Sequence, residues 1–270
     1  MLFLHQGYIY NMKDKNKLAL IKKSNDAWRQ LSSWWDENIE DGDPFHRYLV
    51  FPGMLELVDC QVGTKILDLA CGNGTLARRF ASLGGKVLGT DISETFIEQA
   101  KARSSEDIRY QLLDATSATE LKALAKQEHF DVVVCSMALH DLPTITPLIE
   151  SLKLLLGKSG KFVFSVPHPC FNMGEVDLNF FSDEPSLKRR SYIKPMHLEM
   201  KSKPGQPVNQ HCFHRPLMDL FGQFFSAGMS LDALLEPSLS AIEKDLSEVD
   251  LDWKLLPEIP PAMLGRFIFK

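Results

Sequence analysis

Acidic residues end three apolar runs in the first half of the chain, and a glycine-rich turn lies beside the first of them. Asp68 stands in the run KILDL and precedes Gly72 and Gly74, which leave the backbone bare where a helical pattern begins. Asp91 and Asp114 close the next two apolar runs. A turn of this kind at a helix N-terminus accepts a ligand that approaches the backbone closely. The pattern therefore predicts a nucleoside-type ligand.

The carboxylates favour one charge on that ligand over the other. Asp91 has two oxygens that fit the two hydroxyls of a ribose. Ser93 is better suited to cap the following helix, which leaves Asp91 free to bind a ligand. Asp114 is placed to meet the exocyclic amine of an adenine. Asp68 would repel a pyrophosphate and attract a cationic amino group or sulfonium. A positively charged nucleoside is therefore favoured, while the segment GNGTLA taken alone also satisfies the loose dinucleotide pattern.

Strands and helices alternate after Gly63, and such alternation is typical of parallel βαβ units. It predicts an α/β fold with a doubly wound sheet. The predicted strands are 65–69, 86–90, 108–112, 131–135 and 161–166, with helices at about 75–83, 94–103, 118–127 and 145–156.

The pattern also divides the chain into stretches. Residues 1–23 are expected to be a disordered extension, and residues 24–62 a helical segment that folds over the site as an N-terminal lid. Residues 63–270 form the ligand-binding domain. The regular pattern stops between about 167 and 214, and a stretch of that length inside a compact domain predicts a functional lid or an inserted cap.

Composition limits the classes of function. The chain has 270 residues and a formal net charge of -5, which gives no overall attraction to nucleic acid or to an anionic membrane. Its five cysteines lack a CxxC pair, which is typical of reduced thiols, and we expect a cytoplasmic protein. The first residues lack the basic segment and long apolar core of a secretion signal, and the sequence leaves open whether Met1 or Met12 is the start.

Segments in the first two thirds of the chain, in their order and spacing, resemble the class I S-adenosylmethionine-dependent methyltransferases of the small-molecule branch. They are ILDLACGNGTLARRFA, VLGTDIS, IRYQLLDA, FDVVVCSMALHDL and LLGKSGKFVFSV, within about residues 60–167. The later segments FHRPLMDLFGQFFSAGMSLDALLEP and IPPAMLGRFIF are similar to the C-terminal part of that branch. The resemblance implies a Rossmann-like seven-stranded sheet with an antiparallel last strand, and S-adenosyl-L-methionine as cofactor. Ala70 departs from the pattern, because many members carry a glycine there.

The resemblance also assigns roles to positions. The first acid and the turn would hold the methionine part, the second acid the ribose, and the third the adenine edge, while the end of the fourth strand would lie beside the sulfonium. From the N-terminal segment, Arg47 or Tyr48 is a candidate to reach the methionine carboxylate. The predicted cofactor-binding residues are Asp68, Ala70, Cys71, Gly72, Asn73, Gly74, Asp91, Ile92, Asp114, Ala115, Ser136, Met137 and Tyr48.

Two histidines are candidates for catalysis on the acceptor side. Methyl transfer needs alignment of the acceptor and exclusion of water, and a phenol, an amine or a carbon acid also needs a base. His140 follows the fourth strand, and His168 follows the fifth between two prolines. The alternative for His140 is packing or capping of its loop. Asp141 is expected to cap the next helix rather than to orient His140.

Further histidines and cysteines offer zinc ligands, but their spacing matches no standard motif, and we predict no metal site. These residues are His168, Cys170, His211, Cys212 and His214.

The end of the fourth strand lacks the Asn/Asp-Pro-Pro-aromatic element of nucleic-acid amino-methyltransferases, and the aromatic insertion favours a small, partly apolar acceptor. The sequence thus predicts a methyltransferase that acts on a small organic molecule, with neither nucleic acid nor membrane as partner. It does not indicate an oligomeric state. The alternatives are an NAD(P)-dependent oxidoreductase and a non-catalytic scaffold that binds the cofactor.

Overall fold

The computed structural model describes residues 14–179, 184–242 and 252–270. Its first element is helix α1, Asp14–Ile39. The expected disorder is therefore wrong for residues 14–23, while residues 1–13 lie outside the described part. Among the described residues, no helix is both long enough and apolar enough to span a membrane.

The alternation of helices and strands extends from the end of α1 to the fifth strand of the sheet. A π-helical turn, His46–Val50, leads into α2, Phe51–Val58. The elements that follow are β1 Lys65–Leu69, α3 Thr75–Ser82, β2 Lys86–Asp91, α4 Glu94–Arg103, β3 Arg109–Leu112, α5 Ala118–Ala125, β4 Phe130–Ser136, α6 Thr146–Leu155 and β5 Leu156–Pro167.

The insertion after β5 contains two antiparallel hairpins rather than the aperiodic stretch that the sequence suggested. The first pairs β6, Val176–Asn179, with β7, Ser186–Arg189, and the second pairs β8, Met196–Met200, with β9, Gln210–His214. Phe180 and Phe181, two aromatic residues of the insertion, lie outside the described residues. The chain then continues through α7 Leu217–Ser226, β10 Met229–Leu235 and β11 Ala262–Phe269.

Seven strands form the main sheet in the order β10-β11-β5-β4-β1-β2-β3. Strands β1 to β5 run parallel, and β11 runs antiparallel to both β5 and β10. The prediction of a Rossmann-like, doubly wound, seven-stranded sheet with an antiparallel last strand is confirmed. Because the central strands are parallel, β1, β2, β3 and β4 bring their carboxyl ends to one edge of the sheet, where ligands bind in such folds.

Apolar residues fill both faces of this sheet. One face packs against α2, α3 and α4, and the other against α5, α6 and α7. Strand β5 shows why, since Phe162 and Phe164 enter one core and Val163 enters the other, as side chains alternate along a strand. With two buried faces, the sheet holds its carboxyl edge rigidly and leaves the loops at that edge to carry chemistry.

Candidate ligand site at the carboxyl edge of the sheet

The two glycines of the turn after β1 have different roles. Both adopt left-handed backbone angles, with φ of +55° at Gly72 and +78° at Gly74. A Cβ atom at Gly72 would meet nothing within 4 Å, whereas a Cβ at Gly74 would lie 2.4 Å from the hydroxyl oxygen of Tyr110. Gly72 therefore faces open space, as a ligand turn requires. Gly74 is needed for the packing of Tyr110, which corrects the expectation that both glycines clear the way for a ligand.

Two non-glycine residues beside the turn also have positive φ angles. Ala70 follows β1 with φ of +54°, and Met137 follows β4 with φ of +49°. The Met137 N–H donates to the Ser165 carbonyl oxygen at 2.9 Å, and Ser136 Oγ lies 2.9 Å from Ser165 Oγ. Such conformations are uncommon outside glycine and concentrate at functional sites. The ends of β1 and β4 are therefore held in a defined shape.

Asp68 is buried, and one of the two oxygens of its carboxylate is unsatisfied. Its side chain is 1% exposed, and Oδ2 has no hydrogen-bond partner among the described residues. Burial, together with the nearby charge of Asp91, raises the pKa of Asp68 to about 7. A buried carboxylate without a partner is costly, and a cationic group would relieve that cost. Asp68 is thus suited to receive an ammonium group from a ligand.

Asp91 links the turn to the next helix. Its Oδ2 accepts the Gly72 N–H at 3.0 Å, and its Oδ1 accepts the Ser93 N–H at 2.9 Å. Ser93 caps α4, as expected from the sequence, because its Oγ accepts the Phe96 N–H at 3.4 Å. Burial raises the pKa of Asp91 to about 6. Each oxygen keeps a lone pair, so Asp91 can still accept hydrogen bonds from hydroxyl groups while the two backbone N–H groups hold its orientation.

A cavity of about 350 Å³ opens beside Asp91, between the ends of β2 and β3. Asp114 lies at its wall, but Asn25 Nδ2 donates to its Oδ2 at 2.8 Å and Thr116 Oγ1 to its Oδ1 at 2.6 Å. The predicted adenine contact of Asp114 would therefore share these oxygens. Ala115, the other predicted residue here, is buried. The residues that line the cavity are Arg29, Ile92, Ser93, Glu94, Thr95, Leu112, Leu113, Asp114 and Glu120.

The end of α1 is fastened to the glycine turn. Asn73 Nδ2 donates to Asp36 Oδ1 at 2.9 Å and to the Glu40 carbonyl oxygen at 2.7 Å. The Arg103 guanidinium donates to Asp36 Oδ2 at 2.6 Å, which connects α1 to α4 as well. Asn73 was predicted to bind the cofactor, but its amide is committed to α1. Helix α1 thus lies over the turn as a cover.

Two further predicted positions have less direct links to the site. Cys71 is half-buried in the turn, and burial raises the pKa of its thiol, which agrees with a packing role. Tyr48 is half-buried in the π-helical turn, and the guanidinium of its neighbour Arg47 donates to the Gly42 carbonyl oxygen. The contact of Arg47 or Tyr48 with the carboxylate of the methionine part stays a prediction.

On the acceptor side, His140 has a buried hydrogen-bonding atom that is not used. Its Nδ1 is buried without a partner among the described residues, and its Nε2 lies 3.5 Å from Asp141 Oδ2. Burial, with the Arg215 charge, lowers the pKa of His140 to about 3. Arg215 holds the loop in place by donating to the carbonyl oxygens of Leu139 at 2.9 Å and Leu142 at 2.5 Å. His140 is therefore a neutral imidazole in a fixed loop.

Asp141 does not cap the next helix, as the sequence had suggested. Helix α6 begins at Thr146, and its N-cap residue is Ile145. The buried Asp141 carboxylate instead accepts hydrogen bonds from Gln210 Nε2 and Cys212 Sγ of β9, each at 3.4 Å. Burial raises the pKa of Asp141 to about 8. Its role is to join the loop after β4 to the insertion.

His168 has both ring nitrogens engaged. Its Nδ1 accepts the Cys170 N–H at 3.0 Å, so Nε2 carries the proton and donates to Glu236 Oε1 at 2.7 Å. The side chain is 1% exposed. These contacts correct the expectation of a base and favour a structural role, in which His168 ties the segment after β5 to the segment after β10.

The residues considered as zinc ligands do not converge. His214 Nε2 lies 2.7 Å from the Tyr192 carbonyl oxygen, Cys212 contacts Asp141, and His168 contacts Glu236. His211 lies instead beside His197 and Glu199 of β8, two residues that the sequence did not indicate as ligands.

Comparison with known proteins agrees with this architecture. The model of a family described as "Methyltransferase domain" matches residues 67–162. An uncharacterised protein of Haemophilus influenzae is 25% identical over 230 residues, which cover 78% of this chain and 84% of that protein. A ubiquinone biosynthesis O-methyltransferase of Thiobacillus denitrificans is 33% identical over 138 residues, 49% of this chain and 56% of that enzyme. The chain thus spans little more than half the length of that enzyme.

Among solved structures, an S-adenosylmethionine-dependent methyltransferase from Mesorhizobium loti superposes with a TM-score of 0.64 at 21% identity, over 80% of this chain and 96% of that one. A glycopeptide N-methyltransferase in complex with S-adenosyl-L-methionine superposes with a TM-score of 0.52 at 17% identity, over 77% and 88%. At these identities the superpositions establish the fold.

Proposed function

Because this chain belongs to the class I S-adenosylmethionine-dependent methyltransferases, we propose that it transfers a methyl group from S-adenosyl-L-methionine to a small organic acceptor. The family that the sequence motifs indicated is confirmed. The observation that carries the proposed activity is the unpartnered Oδ2 of the buried Asp68 carboxylate. Asp68 lies one strand away from Asp91 and before the open backbone at Gly72.

The residues present fit the cofactor. Asp68 would accept the ammonium group of its methionine part, since a cation satisfies the orphaned oxygen. Asp91, oriented by two backbone N–H groups, would accept the ribose hydroxyls, and the cavity beside Ile92 would take the adenine. When bound, the cofactor supplies a methyl group on a sulfonium, whose sulfur leaves as a neutral thioether. The protein then has to align the acceptor and exclude water.

His140 supports an acceptor that carries a proton. Its free Nδ1 can accept a hydrogen bond from a hydroxyl or amine and so orient the nucleophile. With a pKa of about 3 it is a weak base, but the acceptor proton becomes far more acidic as the new bond forms, so a weak base suffices late in the transfer. His140 is therefore the candidate catalytic residue, in preference to His168.

The space beside His140 has to widen before it can hold an organic acceptor. A cavity of about 20 Å³ lies between His140, Phe213 and Arg215, which is room for about one water molecule. Binding of an organic acceptor therefore requires the insertion to move outward. The relatives named ubiquinone biosynthesis O-methyltransferase favour an oxygen nucleophile, so phenols and catechols are the first acceptors to test.

Calorimetry with S-adenosylhomocysteine and with NAD tests the cofactor. We expect one site for S-adenosylhomocysteine and no binding of NAD. Release of S-adenosylhomocysteine is then followed with phenols, catechols, amines and an oligonucleotide. Binding of NAD alone would overturn the proposed chemistry, and turnover with the oligonucleotide alone would overturn the proposed acceptor.

Replacing Asp91 with alanine is expected to weaken binding of S-adenosylhomocysteine by about 1–3 kcal/mol, since hydrogen bonds to a charged acceptor are lost. The exposed acid Asp107 gives the matched control, and Asp107→Ala is expected to bind as the unchanged chain does. Calorimetry compares the two variants. Equal dissociation constants for both would remove Asp91 from the site.

The two histidines are separated by parallel substitutions. We expect His140→Ala to lower kcat by about 100-fold or more, the range for removal of an acid–base group, with unchanged affinity for S-adenosylhomocysteine. His168→Ala is expected to lower the free energy of unfolding by about 1–3 kcal/mol, because it removes the partner of both the part-buried Cys170 N–H and Glu236, with a smaller effect on kcat. Steady-state kinetics and urea unfolding measure both, and the opposite pattern would exchange the two roles.

A further inference from the structure

The second hairpin of the insertion carries two histidines and a glutamate on one face. His197 and Glu199 are two residues apart in β8 and therefore point to the same face. Glu199 lies directly opposite His211 of β9, so the three side chains share that face. One ligand atom of each lies within 4.8 Å of the others. His197 Nε2 is 2.8 Å from His211 Nδ1, and His211 Nδ1 is 3.8 Å from Glu199 Oε1.

These distances are close to those of a metal shell. Zinc binds imidazole nitrogen and carboxylate oxygen at about 2.0–2.2 Å in a tetrahedral arrangement, which puts neighbouring ligand atoms roughly 3.3 Å apart. The two nitrogens would separate by about 0.5 Å and the carboxylate would approach by a similar amount. Rotamer adjustments of that size need no movement of the strands.

The surroundings partly prepare the site. The ring of Phe213 stacks on His197 with centroids 4.9 Å apart and an angle of 11°, which fixes that imidazole. The positive charge of Lys23 on α1 acts on both histidines and opposes a cation, while the Glu199 carboxylate offsets it.

We propose that His197, Glu199 and His211 bind one divalent first-row transition metal ion of the zinc type, with the fourth position left to water. Two imidazoles and one carboxylate form the donor set that such ions prefer over Mg²⁺ or Ca²⁺. The ion joins β8 to β9 across the hairpin.

The consequence is mechanical. The opposite face of β9 carries Gln210 and Cys212, which contact Asp141 in the loop after β4. A metal that fixes the hairpin therefore also stabilises the insertion on the loop that carries His140. None of the metal ligands belongs to the cofactor or acceptor residues, so metal binding and cofactor binding can be measured separately.

The test uses the full chain without a polyhistidine tag, treated with a chelator and titrated calorimetrically with ZnCl₂. We expect one equivalent of Zn²⁺, about 100-fold weaker binding in His197→Ala and His211→Ala, and about 10-fold weaker binding in Glu199→Gln. His129→Ala changes an exposed histidine on a distant loop and is expected to bind zinc as the unchanged chain does. With Co²⁺, the absorption spectrum should lack a thiolate charge-transfer band.

Glu199→Gln also protects the test against misfolding, because Glu199 is exposed and the change is nearly isosteric. Zinc is expected to raise the Tm of the unchanged chain and of His129→Ala more than that of Glu199→Gln. Failure of the unchanged chain to bind zinc would overturn the proposal, as would equal zinc affinity in Glu199→Gln or a thiolate band with Co²⁺. Affinity for S-adenosylhomocysteine, measured on the same samples, reports separately on the proposed function.

Discussion

Replacing Asp68 with asparagine is expected to weaken cofactor binding by more than about 100-fold and to stabilise the free protein. The carboxylate is buried, its Oδ2 has no partner among the described residues, and its pKa is raised to about 7. Removing one member of a buried charge pair costs about 3–5 kcal/mol, and that pair forms only with the ammonium group bound. In the free protein the same change removes an uncompensated buried acid.

The pH dependence follows from the same carboxyl. The pKa of Asp68 is about 7 in the folded protein and 3.8 for an ordinary aspartate, so the folded free protein holds the proton more tightly than the unfolded chain. The stability that this group contributes is therefore present below about pH 4 and is lost as the pH rises towards 7. Cofactor binding needs the ionised form, so affinity is expected to increase from pH 6 to pH 8. Asp91, with a pKa of about 6, adds at lower pH to both the loss of stability and the gain of cofactor affinity as the pH rises.

Calorimetry with S-adenosylhomocysteine and urea unfolding, both between pH 5 and 9, measure these effects. Asp68→Asn should flatten much of the pH dependence of affinity and raise the urea midpoint at pH 8, and Asp107→Asn serves as the control at an exposed site. Unchanged affinity in Asp68→Asn would refute the role of Asp68 and the proposal that depends on it.

Alanine at the two glycines of the turn is expected to produce opposite phenotypes. Gly74→Ala places a Cβ 2.4 Å from the Tyr110 hydroxyl oxygen at a residue with φ of +78°, and overpacking plus the left-handed backbone should lower the free energy of unfolding by about 2–5 kcal/mol. Gly72→Ala meets no atom within 4 Å and should cost only about 1–2 kcal/mol, while its methyl group enters the ligand space and weakens cofactor binding.

Urea unfolding and calorimetry on both variants separate the roles, and each variant is the control for the other. Tyr110→Phe removes the hydroxyl that the new Cβ would strike, so the double variant Gly74→Ala/Tyr110→Phe should recover part of the lost stability. Loss of stability in Gly72→Ala equal to that in Gly74→Ala would contradict the distinction between the two glycines.

The sequence by itself determined the features that depend on neighbours along the chain. Apolar runs and helical periods predicted β1 to β5 and the intervening helices, because strand and helix patterns repeat within a few residues. The order of Asp68, the bare turn, Asp91 and Asp114 indicated a charged nucleoside, since parallel strands bring their carboxyl ends together. Ser93 was identified as a cap from its position alone.

The tertiary structure decided what depends on contacts between distant residues. Gly74 packs against Tyr110, His168 pairs with Glu236, and Asn73 is held by α1. None of these partners follows from local spacing. The grouping of His197 with His211 required the register of the hairpin, because β8 and β9 are separate segments of the sequence. Local pattern thus fixed the sheet and its acidic edge, whereas side-chain roles depended on which surfaces folding brought together.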